Sequence, residues 1–176
     1  MELETVAVDD VHPRSFRPIL TAWYRQRRDQ RCPLRADLQP FLVPAMAGNA
    51  LLFGVDGDSY TYRLVGENIR QAVRQRLKGR TAAEVLGEDT DYYRLVASQF
   101  RLVVTNMRPL YSMHRLHRPG DSQQMAAWRI VLPYRDGETV TRLLTYQVFD
   151  AAANRGGEVA VEDLLPHTVF WVAAPV

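Results

Sequence analysis

The stretch Tyr60-Thr61-Tyr62-Arg63-Leu64-Val65-Gly66-Glu67-Asn68-Ile69 decides the fold. An alternating strand over residues 60–65 stops at Gly66 and turns at once into a helix, where Ile69, Ala72, Val73 and Leu77 fall at helical spacing before Gly79 closes it. Upstream, the apolar run 49–55 and the turn Asp56-Gly57-Asp58 make this strand the second arm of a hairpin. Alternation puts Tyr60, Tyr62 and Leu64 on one face and Thr61, Arg63 and Val65 on the other.

Downstream, Thr81 and Glu84 have the spacing of a capping box and open a short helix that Gly87 ends. The longest helix is expected over residues 90–107. Its stripe, Tyr93, Val96, Phe100, Val103 and Met107, advances by three and four residues, with Asp91 near the start and Arg108 near the end. After Pro109 the pattern changes to strands over 110–116, 125–132 and 139–149, separated by Pro119-Gly120-Asp121 and Arg135-Asp136-Gly137. The order strand, strand, short helices, long helix, strand, strand, strand predicts an α+β fold. An antiparallel sheet of about five strands would be covered on one face by helices, with the long helix forming one wall of a core or pocket.

Towards the N-terminus, residues 1–14 read as an extended leader. Ser15 is placed to cap a helix that tolerates Pro18 in its first turn, presents Phe16, Ile19, Leu20 and Trp23 on one face and ends at Cys32-Pro33. That face packs on its own sheet or on a partner's. Residues 35–44, with Pro40 and Pro44, form a packed connector in which Asp37 caps a short turn. At the other end, residues 151–157 read as flexible and 161–165 as a turn of helix. Residues 168–173 read as an apolar tail set on the sheet's edge, its outer face or another subunit. The expected organisation is therefore a leader and helix over 1–34, a domain over 35–150 and an extension over 151–176.

Hydrophobic residues make up 47% of the chain and charged residues 24%, which are globular values. The first residues offer no apolar signal core, and no run approaches the roughly eighteen apolar residues of a membrane span. With Cys32 as the only cysteine, a cytoplasmic protein without disulfides or a cysteine-based zinc site is expected. Net charge is +2, but seven arginines between Arg14 and Arg35 face only Asp29, and six basic residues from Arg63 to Arg80 face only Glu67. Such clusters could meet nucleic acid. Since Lys78 is the only lysine, arginine is simply the default cation here, and nucleic-acid binding is the third choice.

The chain resembles the PAS-domain superfamily, specifically a bacterial single-domain branch of mostly unassigned function. The resemblance covers residues 15–150. It rests on the Trp23 helix, on Leu34-Arg35-Ala36-Asp37 with Pro40, on Tyr62-Arg63-Leu64-Val65-Gly66 running through a helix to Gly79-Arg80, and on Arg129-Ile130-Val131-Leu132-Pro133. It implies a pocket between sheet and long helix and non-catalytic sensory or regulatory work on a small ligand or a signalling partner, usually as a homodimer, here through the N-terminal helix. No output segment follows residue 150, so any output is expected to pass through another protein. A flavin photoadduct is disfavoured, because Cys32 precedes the hairpin, where photosensing members carry a cysteine on the short helices after it. Histidine-ligated haem is disfavoured because the long helix has no histidine.

The expected ligand-binding residues are Tyr62, Phe100, Met113, Trp128 and Tyr146, an apolar and aromatic set suited to an apolar small molecule. Arg63 and Arg129 lie opposite in phase to Tyr62 and Trp128, so both are expected to point away from the pocket. His114 and His117 sit on opposite faces of a strand and cannot share an ion, and His12 and His167 have no identifiable partner; no metal site is expected. The alternative reading is a small enzyme of the cone-shaped α+β class drafting Asp91, Tyr92, Tyr93 and His114. A helix start already accounts for Asp91 and the apolar stripe for Tyr93, so no enzymatic activity is expected.

Overall fold

The computed structural model describes residues 3–39, 43–73, 75–117, 124–149 and 168–174. The expectations placed on 1–2, 40–42, 119–121, 151–157, 161–165 and His167 lie outside those residues, as does the side chain of His117. Strands β1 (Thr5–Val6), β2 (Ala50–Asp56), β3 (Ser59–Val65), β4 (Leu110–His117), β5 (Gln124–Asp136), β6 (Thr139–Phe149) and β7 (Thr168–Val172) form one sheet. Its order is β1-β7-β4-β5-β6-β2-β3. Helices α1 (Arg17–Arg27), α2 (Glu67–Val73), α3 (Ala82–Leu86) and α4 (Asp91–Asn106) complete the described core.

The fold is α+β and has the expected element order: a hairpin, two short helices, one long helix, then three antiparallel strands. The sheet has seven strands among the described residues, where about five are expected. The two extra strands extend the β4 edge. β7 pairs antiparallel with β4, and β1 runs parallel to β7, with Trp171 N–H donating to the Glu4 carbonyl and Ala173 N–H to that of Val6, each at 2.9 Å. A two-residue strand carries no readable period, which is why the leader looks structureless in sequence. Leader and tail are thus parts of the same sheet as residues 35–150.

The sheet is also covered on both faces. α1 buries Phe16, Ile19, Leu20 and Trp23 within its own chain, and Trp23 Nε1 donates to the Pro133 carbonyl at 3.0 Å. The apolar face expected to serve a homodimer is therefore spent on this sheet. Ser15 does not cap α1: it sits in a 3-10 turn, Arg14–Phe16, that runs straight into the helix, and the helix stops at Arg27, before Cys32.

Two register shifts set which side chains share a face. In the hairpin Leu64 pairs with Leu52 and Tyr62 with Phe53, so the ladder slips by one residue at Arg63. Leu64 consequently leaves the face of Tyr62, contrary to the simple alternation. In the β5–β6 pair a second shift, between Tyr134 and Arg135, brings Gln147 rather than Tyr146 opposite Arg129. β5 also runs on through Pro133. Its pairing with β4 ends at Val131, so the proline, which has no N–H to donate, occupies a stretch with no neighbouring strand on one side.

The burial of α4 differs in detail from the expected stripe. Leu95, Val96, Gln99, Phe100 and Val103 are buried, while Tyr93 is only half-buried. Gln99 lies inward because its amide oxygen accepts from the buried Ser112 hydroxyl of β4 at 3.3 Å.

Candidate functional site

A cavity of about 340 Å³ lies between the sheet and α2–α4. Its floor is Leu51 and Phe53 of β2, Tyr62 of β3, Arg129 of β5, and Thr145, Gln147 and Phe149 of β6. Ile69, Ala72 and Val73 of α2 form one wall. Val85 and Leu86 of α3, with Tyr92, Val96 and Phe100 of α4, form the others.

Each helix is placed by local chemistry. Tyr62 N–H donates to the Arg80 carbonyl at 2.9 Å and Gly79 N–H to the Tyr62 carbonyl at 2.8 Å, stitching the end of the α2 segment back onto β3. Thr81 caps α3, accepting from Glu84 N–H at 3.2 Å while Thr81 N–H donates to the Glu84 carboxylate at 2.7 Å. Thr90 caps α4, its hydroxyl accepting from Tyr93 N–H at 3.1 Å.

Of the expected ligand-binding residues, Tyr62 and Phe100 line this cavity. Phe53 holds them together, its ring 4.5 Å from that of Tyr62 and 4.8 Å from that of Phe100. Met113, Trp128 and Tyr146 do not line it. Met113 is the cross-strand partner of Trp128, and Ile130 that of Tyr146, so all lie on the α1 face of the sheet. Trp128 instead packs against the leader, 5.7 Å from the His12 ring. Aromatic content could not tell one face from the other, because the N-terminal segment makes the second face a core as well.

That inversion turns Arg129 inward. The alternation itself holds, since Arg129 is opposite in phase to Trp128; the side facing the cavity is the other one. Arg129 is only 4% exposed. One amide oxygen of Gln147 accepts from its Nε at 3.2 Å and its Nη2 at 3.0 Å, and Nη2 also donates to the Tyr92 hydroxyl at 2.7 Å. The guanidinium lies 5.8 Å from the Tyr92 ring centroid. Its Nη1, and the Thr145 hydroxyl, are buried with no hydrogen-bond partner among the described residues. Arg63, by contrast, is exposed.

Burial pushes the Tyr62 phenol far above its ordinary range, with Tyr92 adding to the shift and Arg129 and Arg80 opposing it. Tyr60, whose ring lies 5.0 Å from Phe100, is pushed up to about 12, again mainly by burial. Both phenols are neutral at physiological pH and able to donate a hydrogen bond.

Of the residues of the cone-shaped scheme, Tyr92 and His114 meet and Asp91 lies apart from them. Asp91 is exposed and paired with Arg94 at 2.8 Å on the helix surface, while the Tyr92 and His114 rings stand 5.9 Å apart. Cys32 is buried but is not part of the cavity wall, and its carbonyl accepts from Arg135. Among the described residues no three His, Cys, Asp or Glu side chains are grouped to hold a metal ion. None of the described helices is long and apolar enough to cross a membrane. Several clustered arginines are engaged internally: Arg35 with Asp136, Arg70 with Glu67, Arg17 with the Val11 carbonyl and Arg80 with that of Glu84.

No protein-family model and no curated protein sequence matches the chain. Among solved structures it is similar to an RNA-binding Light-Oxygen-Voltage receptor, at 17% identity and a TM-score of 0.42. That match covers 66% of this chain, which spans about 35% of the receptor chain's length.

Proposed function

We propose that this domain is a sensory or regulatory module that binds a small molecule beneath α4 and does no bond chemistry of its own. The observation that carries the reading is the cavity itself. At about 340 Å³ it falls within the range of ligand sites, roughly 300–1,000 Å³. Its walls are mostly apolar, with a few polar groups gathered on β5 and β6, the composition of a ligand site. The resemblance to single-domain bacterial PAS proteins points the same way.

Signalling would follow from packing. Tyr92, Val96 and Phe100 project from α4 and Ile69, Ala72 and Val73 from α2, so an occupant is in contact with both helices and favours the arrangement that closes on it. A partner protein would read that arrangement. Self-association through the apolar face of α1 is not part of this reading, since that face is consumed within the chain.

The test is native mass spectrometry of the purified full chain, before and after denaturation, with titration of N-phenyl-1-naphthylamine, an uncharged apolar fluorophore. A small molecule released on denaturation, or saturable fluorescence at one probe per chain that Ala72→Trp abolishes, supports the reading. No retained molecule and no saturable signal would leave the cavity a packing defect and remove the proposal.

A further inference from the structure

We infer that the cavity takes a monoanion, a carboxylate carried on an apolar or aromatic body and seated on Arg129. The inference rests on the small-molecule reading above and names its ligand class.

Among the described residues Arg129 is a buried cation without a counter-charge. Both of its side-chain partners, Gln147 and Tyr92, are neutral, and Nη1 has none. Other arginines of this chain meet carboxylates: Arg35 with Asp136, Arg94 with Asp91, Arg101 with Asp58 and Arg135 with Glu138. Among the described residues lining the cavity Arg129 is the only charged one, and there is no Asp or Glu. An apolar side chain of similar volume would serve a purely structural role at less cost than a desolvated, uncompensated guanidinium.

An anion accounts for all of this. One carboxylate oxygen would accept from Nη1, giving the guanidinium its missing charge and partner. The other could take the Thr145 hydroxyl, which lies on the same face, because Thr145 pairs with Val131 just as Gln147 pairs with Arg129. A single guanidinium balances a single negative charge, which selects a monoanion over a phosphate or a dicarboxylate. Away from this corner the wall is Phe53, Ile69, Val85, Val96 and Phe100, which requires an apolar body.

The experiment is calorimetric titration of the full chain with phenylacetate, 3-phenylpropionate and 4-phenylbutyrate, each against its uncharged amide. The best acid should bind roughly tenfold to a hundredfold more tightly than its amide, the factor a charge-assisted hydrogen bond supplies. Arg129→Met should erase that preference and leave amide binding in place, while Arg63→Met, at an exposed arginine, should preserve it. Equal affinity for acid and amide in the wild type overturns the inference whether or not Arg129→Met folds, and so does an acid preference that survives Arg129→Met. If N-phenyl-1-naphthylamine binds and the acids show no preference, the cavity reading stands and the anion falls. If neither the fluorophore nor any acid binds, both fall.

Discussion

Gly66 lies directly against the Gly48 carbonyl: a β-carbon on Gly66 would overlap that oxygen and stand 2.6 Å from the carbonyl oxygen of Ala47. Gly66 N–H also donates to the Ala50 carbonyl at 2.7 Å, so the point where β3 becomes α2 is pinned to the 3-10 helix Pro44–Asn49 and the start of β2. Gly66→Ala must push backbone against backbone. It should destabilise the domain by about 2–3 kcal/mol, the upper part of the overpacking range. Gly57→Ala is the control, since Gly57 has φ +57° with open space around it and should lose only about 1–2 kcal/mol to backbone strain. Urea unfolding of the two variants checks the order, and equal losses would mean the close approach at Gly66 is absent.

Trp23 reports whether α1 belongs to this sheet or to a neighbour's. It is 1% exposed, and its indole N–H donates to Pro133 across the α1–β5 contact. Trp23→Phe keeps most of the ring and strands a buried carbonyl, for a loss of about 1–2 kcal/mol; Trp23→Ala should cost about 3–5 kcal/mol. Because the contact is within one chain, neither loss should vary with protein concentration. Denaturation midpoints that move with concentration would place the helix on a second molecule instead.

The joint at Gly66, the capping residue Thr81 and the three C-terminal strands are legible in the sequence because each rests on local chemistry: a turn residue, a cap spacing, a period. What is not legible depends on other chains of contact. The β1 leader is a strand only because β7 lies beside it. The face assignment of Trp128 and Tyr146 fails because α1 covers the second face of the sheet, which no periodicity within β5 or β6 reveals. Arg129 stands out as a cation in an apolar strand. Its partner Gln147 could not be found by counting back from the turn, since the shift at Tyr134 and Arg135 moves the pairing by one residue.

The capping box at α3 should give the domain part of its pH dependence. Hydrogen bonds from the Thr81 backbone and then its side chain hold the Glu84 carboxyl below its ordinary value of 4.5. A carboxyl depressed in the folded state contributes stability above its unfolded pKa, and that contribution fades as pH falls through the folded value. Glu84→Gln should therefore lower stability at neutral pH and flatten the acid limb, with wild type and variant converging at low pH. Thr81→Ala removes the other half of the box and should cost about 1 kcal/mol. Thermal melts across an acid series check both, and parallel curves for wild type and Glu84→Gln would show that this carboxyl does not titrate with folding.

Phe100 couples the stability of the core to the cavity. It is 1% exposed, meets Phe53 at 4.8 Å and Tyr60 at 5.0 Å, and lines the cavity. Phe→Ala in a filled core costs about 3–5 kcal/mol, in part for the dispersion contacts that disappear. Here part of the ring already borders empty space, so those atoms have fewer partners to lose, and Phe100→Ala should fall at about 3 kcal/mol. The same change enlarges the cavity on its α4 side without touching Arg129. A longer aryl acid such as 4-phenylbutyrate should gain affinity relative to phenylacetate, while its preference over the matching amide stays as in the wild type. Calorimetry on the variant separates the two effects. An acid-to-amide ratio that collapses in Phe100→Ala would show that α4, rather than the β5–β6 corner, sets the charge preference.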